Sequence, residues 1–235
     1  MTLPAIPSAL EQLEEISLAR ALAAIAPNGV RTGCRMIHGG DEAHLLPAEA
    51  QSIPARQPAM RRASGAARWI AHGLLAEIGV GDVAIPRTPS GSPAWPDGIA
   101  GSLAHDDEMA VATVAPLGDL ASLGIDVEPA VPLPDELLAL IQTAADETGA
   151  APPHLGGRIL FSAKEAVYKA VYPLDREILG YEDIAVDLAA GSAVTKTSRR
   201  VRLVYCIVPR VVVLAFVVAC GLADPAPTRL LLTLR

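Results

Sequence analysis

An α+β fold built on antiparallel sheets is what this chain predicts, because two kinds of pattern coexist in it. Apolar residues recur at helical spacing in three segments, 9–26, 57–78 and 155–172. Short Val- and Leu-rich runs crowd the tail from Ile184 to Arg235, and their connections are too short for crossover helices, so they pair antiparallel. With 235 residues, 51% of them apolar, the chain has ample material for a buried core.

In order, Leu10, Leu13, Ile16, Leu18, Leu22 and Ile25 mark an amphipathic helix that ends before Pro27-Asn28-Gly29. A second helix holds Trp69, Ile70, Leu74, Leu75 and Ile78 and is closed by Gly79. Pro86 to Gly98 contains four prolines and reads as a loop. Gly101 to Ala115 and Leu123 to Val127 read as two strands joined by a turn at 116–119, with Pro129 ending the second. The proline-bounded stretch 130–153 is a connector with a helical segment at Asp135 to Ala145. A helix from Leu155 to Tyr172 is stopped by Pro173. Ile184 to Leu188, Val201 to Val208, Val211 to Ala219 and Leu230 to Leu234 complete the strands. Helix-then-strand order recurs in the two parts, and the expected division is 1–117 and 118–235.

Composition excludes several classes. A net charge of −7 with only 3% aromatics is wrong for neutralising phosphates and stacking bases, so no nucleic-acid partner is expected. The longest apolar run, Val211 to Cys220, is ten residues and too short to span a bilayer as a helix. The first ten residues lack the basic start and apolar stretch of a secretion signal, so a cytoplasmic protein is expected, with no membrane partner and as a monomer. Cys34, Cys206 and Cys220 are odd in number and lack metal-ligand spacing, which fits reduced thiols. Positive charge gathers at Arg56, Arg61, Arg62 and Arg68, and again at Lys196, Arg199, Arg200 and Arg202, where an anionic ligand would bind.

The chemistry is concentrated in two segments. In Gly124-Ile125-Asp126-Val127-Glu128, strand alternation projects Asp126 and Glu128 to one side and Ile125 and Val127 to the other. Adjacent carboxylates in an apolar setting suit a cation, and the solvent face of an edge strand is the alternative. In the third helix, Ile159, Leu160, Ala163, Ala166, Val167, Ala170 and Val171 form one apolar stripe. Glu165 and Lys169 lie opposite it, flanked by Phe161, Tyr168 and Tyr172. Ser162 and Glu165 also match a capping box, and Glu165 and Lys169 a surface ion pair, so structural readings stay open at this level.

Taken together, Gly124 to Glu128 and the Phe-x-x-Lys-Glu-Ala-x-x-Lys run from Phe161 to Lys169 resemble the signature segments of 4′-phosphopantetheinyl transferases of the siderophore and secondary-metabolism class. Trp95, Pro96, Gly98, Gly101, Ser102 and His105 match a third motif of that family, and the resemblance covers about residues 56 to 183. It implies two similar halves, each a helix packed on a small antiparallel sheet, with the ligand cleft between them. It further implies transfer of 4′-phosphopantetheine from coenzyme A to a serine of an acyl- or peptidyl-carrier protein, with Mg²⁺ and release of adenosine 3′,5′-bisphosphate.

Residue by residue, the resemblance makes Asp126, Glu128 and Glu165 the metal ligands and Glu165 and Lys169 the catalytic pair. It gives Arg56, Arg68, His105 and Lys169 to the cofactor. The chain departs from the family pattern at Ser64, where an arginine is common, and at the neutral Ser92 and Ala94 before Trp95-Pro96. Either coenzyme A binds more weakly for this reason, or Arg61 or Arg62 substitutes. A non-catalytic coenzyme A or carrier-binding relative and a metal-dependent phosphohydrolase are the alternatives.

Overall fold

Strand β-propensity and face alternation sort this chain into four layers. The computed structural model describes residues 8–54, 57–81 and 83–219; the expected strand at Leu230 to Leu234, Cys220 and Arg56 lie outside them. The elements are α1 (Ala9–Ile25), β1 (Arg31–Met36), α2 (Pro47–Ser52), α3 (Pro58–Glu77), β2 (Ile99–His105), β3 (Met109–Pro116), β4 (Leu120–Pro129), α4 (Asp135–Ile141), α5 (Gly156–Asp175), β5 (Ile184–Asp187), β6 (Ser192–Thr195), β7 (Arg200–Cys206) and β8 (Arg210–Val218). They form a three-stranded sheet ordered β1-β3-β2 and a five-stranded sheet ordered β4-β8-β7-β6-β5, antiparallel throughout. The chain passes from one sheet to the other in the turn between Pro116 and Leu120.

Alternate residues of each central strand feed opposite cores. From β3, Ala110, Ala112 and Val114 pack under α3, while Met109, Val111 and Ala115 face the other sheet. From β8, Val211, Val213, Ala215 and Val217 pack under α5, while Val212, Leu214 and Phe216 meet the inward residues of β3 and β4. Leu18, Ala21, Leu22 and Ile25 of α1 close this inter-sheet core. The helix starts at a complete capping box in which the Ser8 hydroxyl and the Glu11 carboxylate exchange backbone hydrogen bonds. Among the described residues no helix is long and apolar enough to cross a membrane.

Three expectations need correction. The single strand over Gly101 to Ala115 is a hairpin, because Asp106 Oδ1 accepts the amide hydrogens of Glu108 (2.8 Å) and Met109 (2.7 Å) and reverses the chain. The strand carrying Asp126 then pairs with β8 and not with its predecessor. Pro173 does not stop α5, which runs two residues further. A proline in the last turn forfeits a single internal bond, and the Arg176 amide still reaches the Tyr172 carbonyl at 2.9 Å.

Two contacts hold α5 in register. A β-carbon on Gly124 would lie 2.0 Å from the Ala166 carbonyl oxygen and 2.7 Å from the Ala170 nitrogen, so the helix backbone rests directly on β4. Lys164 is fully buried and donates to the Ile141 carbonyl (2.8 Å), the Tyr181 carbonyl (2.9 Å) and the Asp146 carboxylate (2.7 Å). Asp146 in turn accepts from Thr143 and from the Val186 amide, so one ion pair ties α4, α5 and β5 together. Replacing Gly124 by Ala is expected to destabilise by at least about 1–3 kcal/mol through overpacking. Lys164→Met strands the buried Asp146 charge and is expected to cost about 3–5 kcal/mol. Urea unfolding midpoints measure both, and near-native values would contradict this account.

Candidate active site

The face of β4 that carries Gly124 also carries Asp126 and Glu128, so the contact that seats α5 brings Lys169 onto Asp126 and Arg158 onto Glu128. Ile125 and Val127 point the other way into the inter-sheet core. All seven residues of the expected apolar stripe of α5 are fully buried. Ser162 is buried within the helix, which begins at Gly156, so the capping-box alternative falls.

Each acidic group has its own partner. Lys169 Nζ lies 2.7 Å from Asp126 Oδ1 and 3.2 Å from the Ile125 carbonyl. Arg158 Nη1 lies 2.6 Å from Glu128 Oε2, while its Nε and Nη2 donate to the Val131 and Pro132 carbonyls, which anchors the connector. The Tyr181 hydroxyl donates to Glu165 Oε1 at 3.0 Å. Among the described residues no three His, Cys, Asp or Glu side chains are grouped closely enough to hold an ion. The three expected ligands therefore stand on β4 and α5, Asp126 and Glu128 each paired with a cation and Glu165 with a phenol, without forming a finished cage.

The local field still records their proximity. Burial, and next the like charge of Asp126, raise the Glu128 carboxyl above its usual range, with Arg158 opposing. Burial and then Glu165 push the Tyr181 phenol up to about 12, with smaller contributions from Asp126 and Glu128. Tyr181 thus remains a donor at any working pH. Asp126 Oδ2 is buried and unpartnered, which is costly unless a ligand or cation completes it.

The expected cofactor residues separate. His105 ends β2, with Nδ1 3.3 Å from the Asp106 carbonyl. Its edge is open to water, yet desolvation by its packed surroundings lowers its pKa, the Asp106 carbonyl opposing and the Lys169 charge adding to the fall. Arg68 is buried, donates through Nε to the Ile85 carbonyl at 2.8 Å and stands 4.0 Å from Glu49. It holds the start of the 86–95 loop in place and presents no open guanidinium. Arg61 caps the carbonyls of Ala50 and Ile53. In the second basic cluster, Lys196 pairs with Glu177 and Asp183, and Arg199 with Asp175.

Three groups escaped the sequence reading. Asp106 and Glu108, with Glu14, surround the buried Arg210, which links α1, the β2–β3 turn and β8. Ser102 Oγ accepts the Ile125 amide at 3.1 Å and bridges the two sheets beside Asp126. Tyr181 sits in a three-residue helical turn after α5, where only its place beyond the Lys-Glu motif hinted at a role.

A cavity of about 670 Å³ opens between the halves. One wall is Trp95 stacked on β2, and the other is the outward face of α5 with Glu165, Tyr168, Lys169 and Tyr172. A β-carbon at Gly101 would lie 2.6 Å from the Trp95 ring, so glycine is required for this stacking. The geometry offers one carboxylate, an ammonium and an aromatic-lined slot, which suits a long ligand with an anionic group.

Comparison with known proteins agrees with this geometry. Residues 42–115 match the family model described as 4′-phosphopantetheinyl transferase N-terminal domain, and residues 122–211 match that of the 4′-phosphopantetheinyl transferase superfamily. The chain is 37% identical over 175 residues to 4′-phosphopantetheinyl transferase Npt of Nocardia iowensis, covering 72% of this chain and 78% of the relative. It is 36% identical over 156 residues to 4′-phosphopantetheinyl transferase Svp of Streptomyces mobaraensis, 63% of each chain. Similarity to 4′-phosphopantetheinyl transferase PptT of Mycobacterium tuberculosis is 39% over 153 residues, 63% of this chain and 66% of the relative.

The wall that supports Trp95 carries a pH signature. Glu49 is fully buried; burial alone would raise its pKa, but His72 and the amides of Ile85 and Leu46 outweigh it, and the carboxyl ends below its ordinary value. A depressed carboxyl stabilises the fold above its unfolded pKa, and that stability is lost as pH falls through the folded value. Glu49→Gln is therefore expected to flatten the acid limb of stability against pH, read from urea midpoints below about pH 5. An unchanged acid limb would refute it.

Proposed function

This chain belongs to the 4′-phosphopantetheinyl transferase superfamily, and we propose that it moves 4′-phosphopantetheine from coenzyme A to a serine of an acyl- or peptidyl-carrier protein in a Mg²⁺-dependent reaction that releases adenosine 3′,5′-bisphosphate. The observation that carries this reading is the seating of α5 on Gly124, which sets Lys169 on Asp126 while Glu165 and Lys169 line the inter-half cavity. The halves are read as 1–117 and 118–235, acting as a cytoplasmic monomer.

Asp126, Glu128 and Glu165 would hold the divalent ion. The donor set fits: all three are hard oxygen ligands, Asp126 Oδ2 is buried without a partner, and Glu128 is under like-charge repulsion. When bound, the ion supplies charge stabilisation to the diphosphate oxygens. Lys169 would exchange the Asp126 carboxylate for a phosphate oxygen, following it on a flexible stem. Glu165, with Oε1 oriented by Tyr181, would accept the proton of the incoming serine at Oε2. His105, its pKa lowered by its surroundings, would donate a hydrogen bond to a nucleotide phosphate.

The test is to incubate the chain with coenzyme A, Mg²⁺ and apo carrier proteins of several pathways and weigh the carriers. A gain of one phosphopantetheinyl group is expected, and a lack of gain on every carrier overturns the reading. Glu165→Gln and Asp126→Asn are each expected to lower turnover at least about a hundredfold, with unfolding midpoints showing that the variants remain folded.

A further inference from the structure

Arg158 stands where a cation is electrostatically misplaced. It is the third residue of α5, in a first turn that holds no acidic residue, so its charge meets the positive end of the helix dipole. The side chain is nonetheless largely buried, and every nitrogen of its guanidinium is engaged. Nη1 donates to Glu128 Oε2 at 2.6 Å, and Nε and Nη2 donate to the carbonyls of Val131 and Pro132, each at 3.2 Å. One planar group thus ties the last acid of β4, the entry of the connector and the start of α5. The connector also packs on this turn, since a β-carbon on Gly157 would lie 3.0 Å from the Leu138 side chain and 3.5 Å from that of Leu133.

The pairing with Glu128 is one-sided. Among the described residues Arg158 is the hydrogen-bonding partner of the Glu128 carboxylate, through Oε2, and Oε1 accepts no bond. Two residues earlier on the same strand face, Lys169 takes Asp126 Oδ1, and Oδ2 is buried without a partner. Each carboxylate of β4 is therefore held by a cation through one oxygen and keeps the other unbonded, which is how outer partners orient the ligands of a metal ion. The Val131 amide bonds the Pro129 carbonyl at 2.8 Å, and the amides of Leu137 and Leu138 bond that of Pro134, so the connector carries protons whose exchange reports its order.

We propose that Arg158 is a positioning residue for the divalent ion: it holds Glu128 through Oε2, leaves Oε1 to the ion, and by the same fork couples occupancy of the ion site to the order of the connector at Val131 and Pro132. The inference rests on the transferase reading above and deepens it. With Glu128 fixed by a bound ion the guanidinium is fixed, and with it the two carbonyls, so the carboxylate and the connector become ordered together. The rigid fork is essential, because the compact ammonium of a lysine cannot span three acceptors spread along one plane.

Mn²⁺ serves as the probe. The full chain, as wild type, Arg158→Lys and Arg158→Gln, is titrated with the ion in the presence of coenzyme A, and binding is read from loss of the free ion's electron-spin resonance signal against a blank of coenzyme A alone. Hydrogen exchange of residues 130–141 is measured with and without the ion. Both variants are expected to bind Mn²⁺ about tenfold or more weakly, and the slowing of connector exchange that Mn²⁺ causes in the wild type is expected to disappear in both. Faster connector exchange with wild-type Mn²⁺ affinity marks a purely structural tie and overturns the positioning role. Tighter Mn²⁺ binding overturns it as well, by making Arg158 a competitor of the ion. The wild type is a test in itself: connector exchange indifferent to bound Mn²⁺ overturns the coupling whether or not the variants fold. A wild type that binds no Mn²⁺ overturns the ion site of the proposed reaction and this inference with it. Arg158-dependent Mn²⁺ binding without mass gain on any carrier overturns the transferase reading alone.

Discussion

The absence of a side chain at Gly124 is the constraint on which the remaining architecture of the site depends. With a β-carbon 2.0 Å from the Ala166 oxygen, any other residue would push α5 off β4. Ala166 and Ala170 are small for the same reason, so backbone meets backbone. Because side chains alternate along β4, the glycine that admits the helix fixes the carboxylates two and four residues later against its flank. The placement of Lys169 on Asp126 is thus a consequence of main-chain packing more than of electrostatic attraction.

Charge is managed locally in this acidic chain. Three buried or half-buried cations meet their own acids: Lys164 with Asp146, Arg158 with Glu128, and Arg210 with Glu14, Asp106 and Glu108. Arg210 joins α1 and the β2–β3 turn of the first half to the start of β8 in the second, and Ser102 adds a neutral bridge between the sheets. The cleft is where this local neutrality gives way, its lining holding Arg87, Lys169 and Arg176 against the single acid Glu165.

Much of this was legible in the sequence wherever periodicity was long and one-sided. The seven-residue stripe of α5 emerged intact because twenty residues of helix repeat the signal many times. β1 and β6 did not, since Arg31–Met36 and Ser192–Thr195 are short, half-exposed strands with little apolar alternation. Nothing local in the sequence explains Asp106 and Glu108, because their partner, Arg210, lies about a hundred residues away. Arg68 was expected at the ligand, and only the fold reveals that its planar fork faces the Ile85 carbonyl. Asp126 and Glu128 were readable as a pair, but their individual cations came from helix positions that spacing alone does not connect.

The neighbouring lysine and glutamate of α5 illustrate how adjacency misleads. Glu165 faces the cleft, while Lys164, one step along the helix, is sealed inside with three oxygen acceptors. A mutational survey that scored only product formation would rank both positions as indispensable. At position 164 the lost signal would come from missing folded protein, so yield of soluble chain must accompany every such assay before a chemical part is assigned.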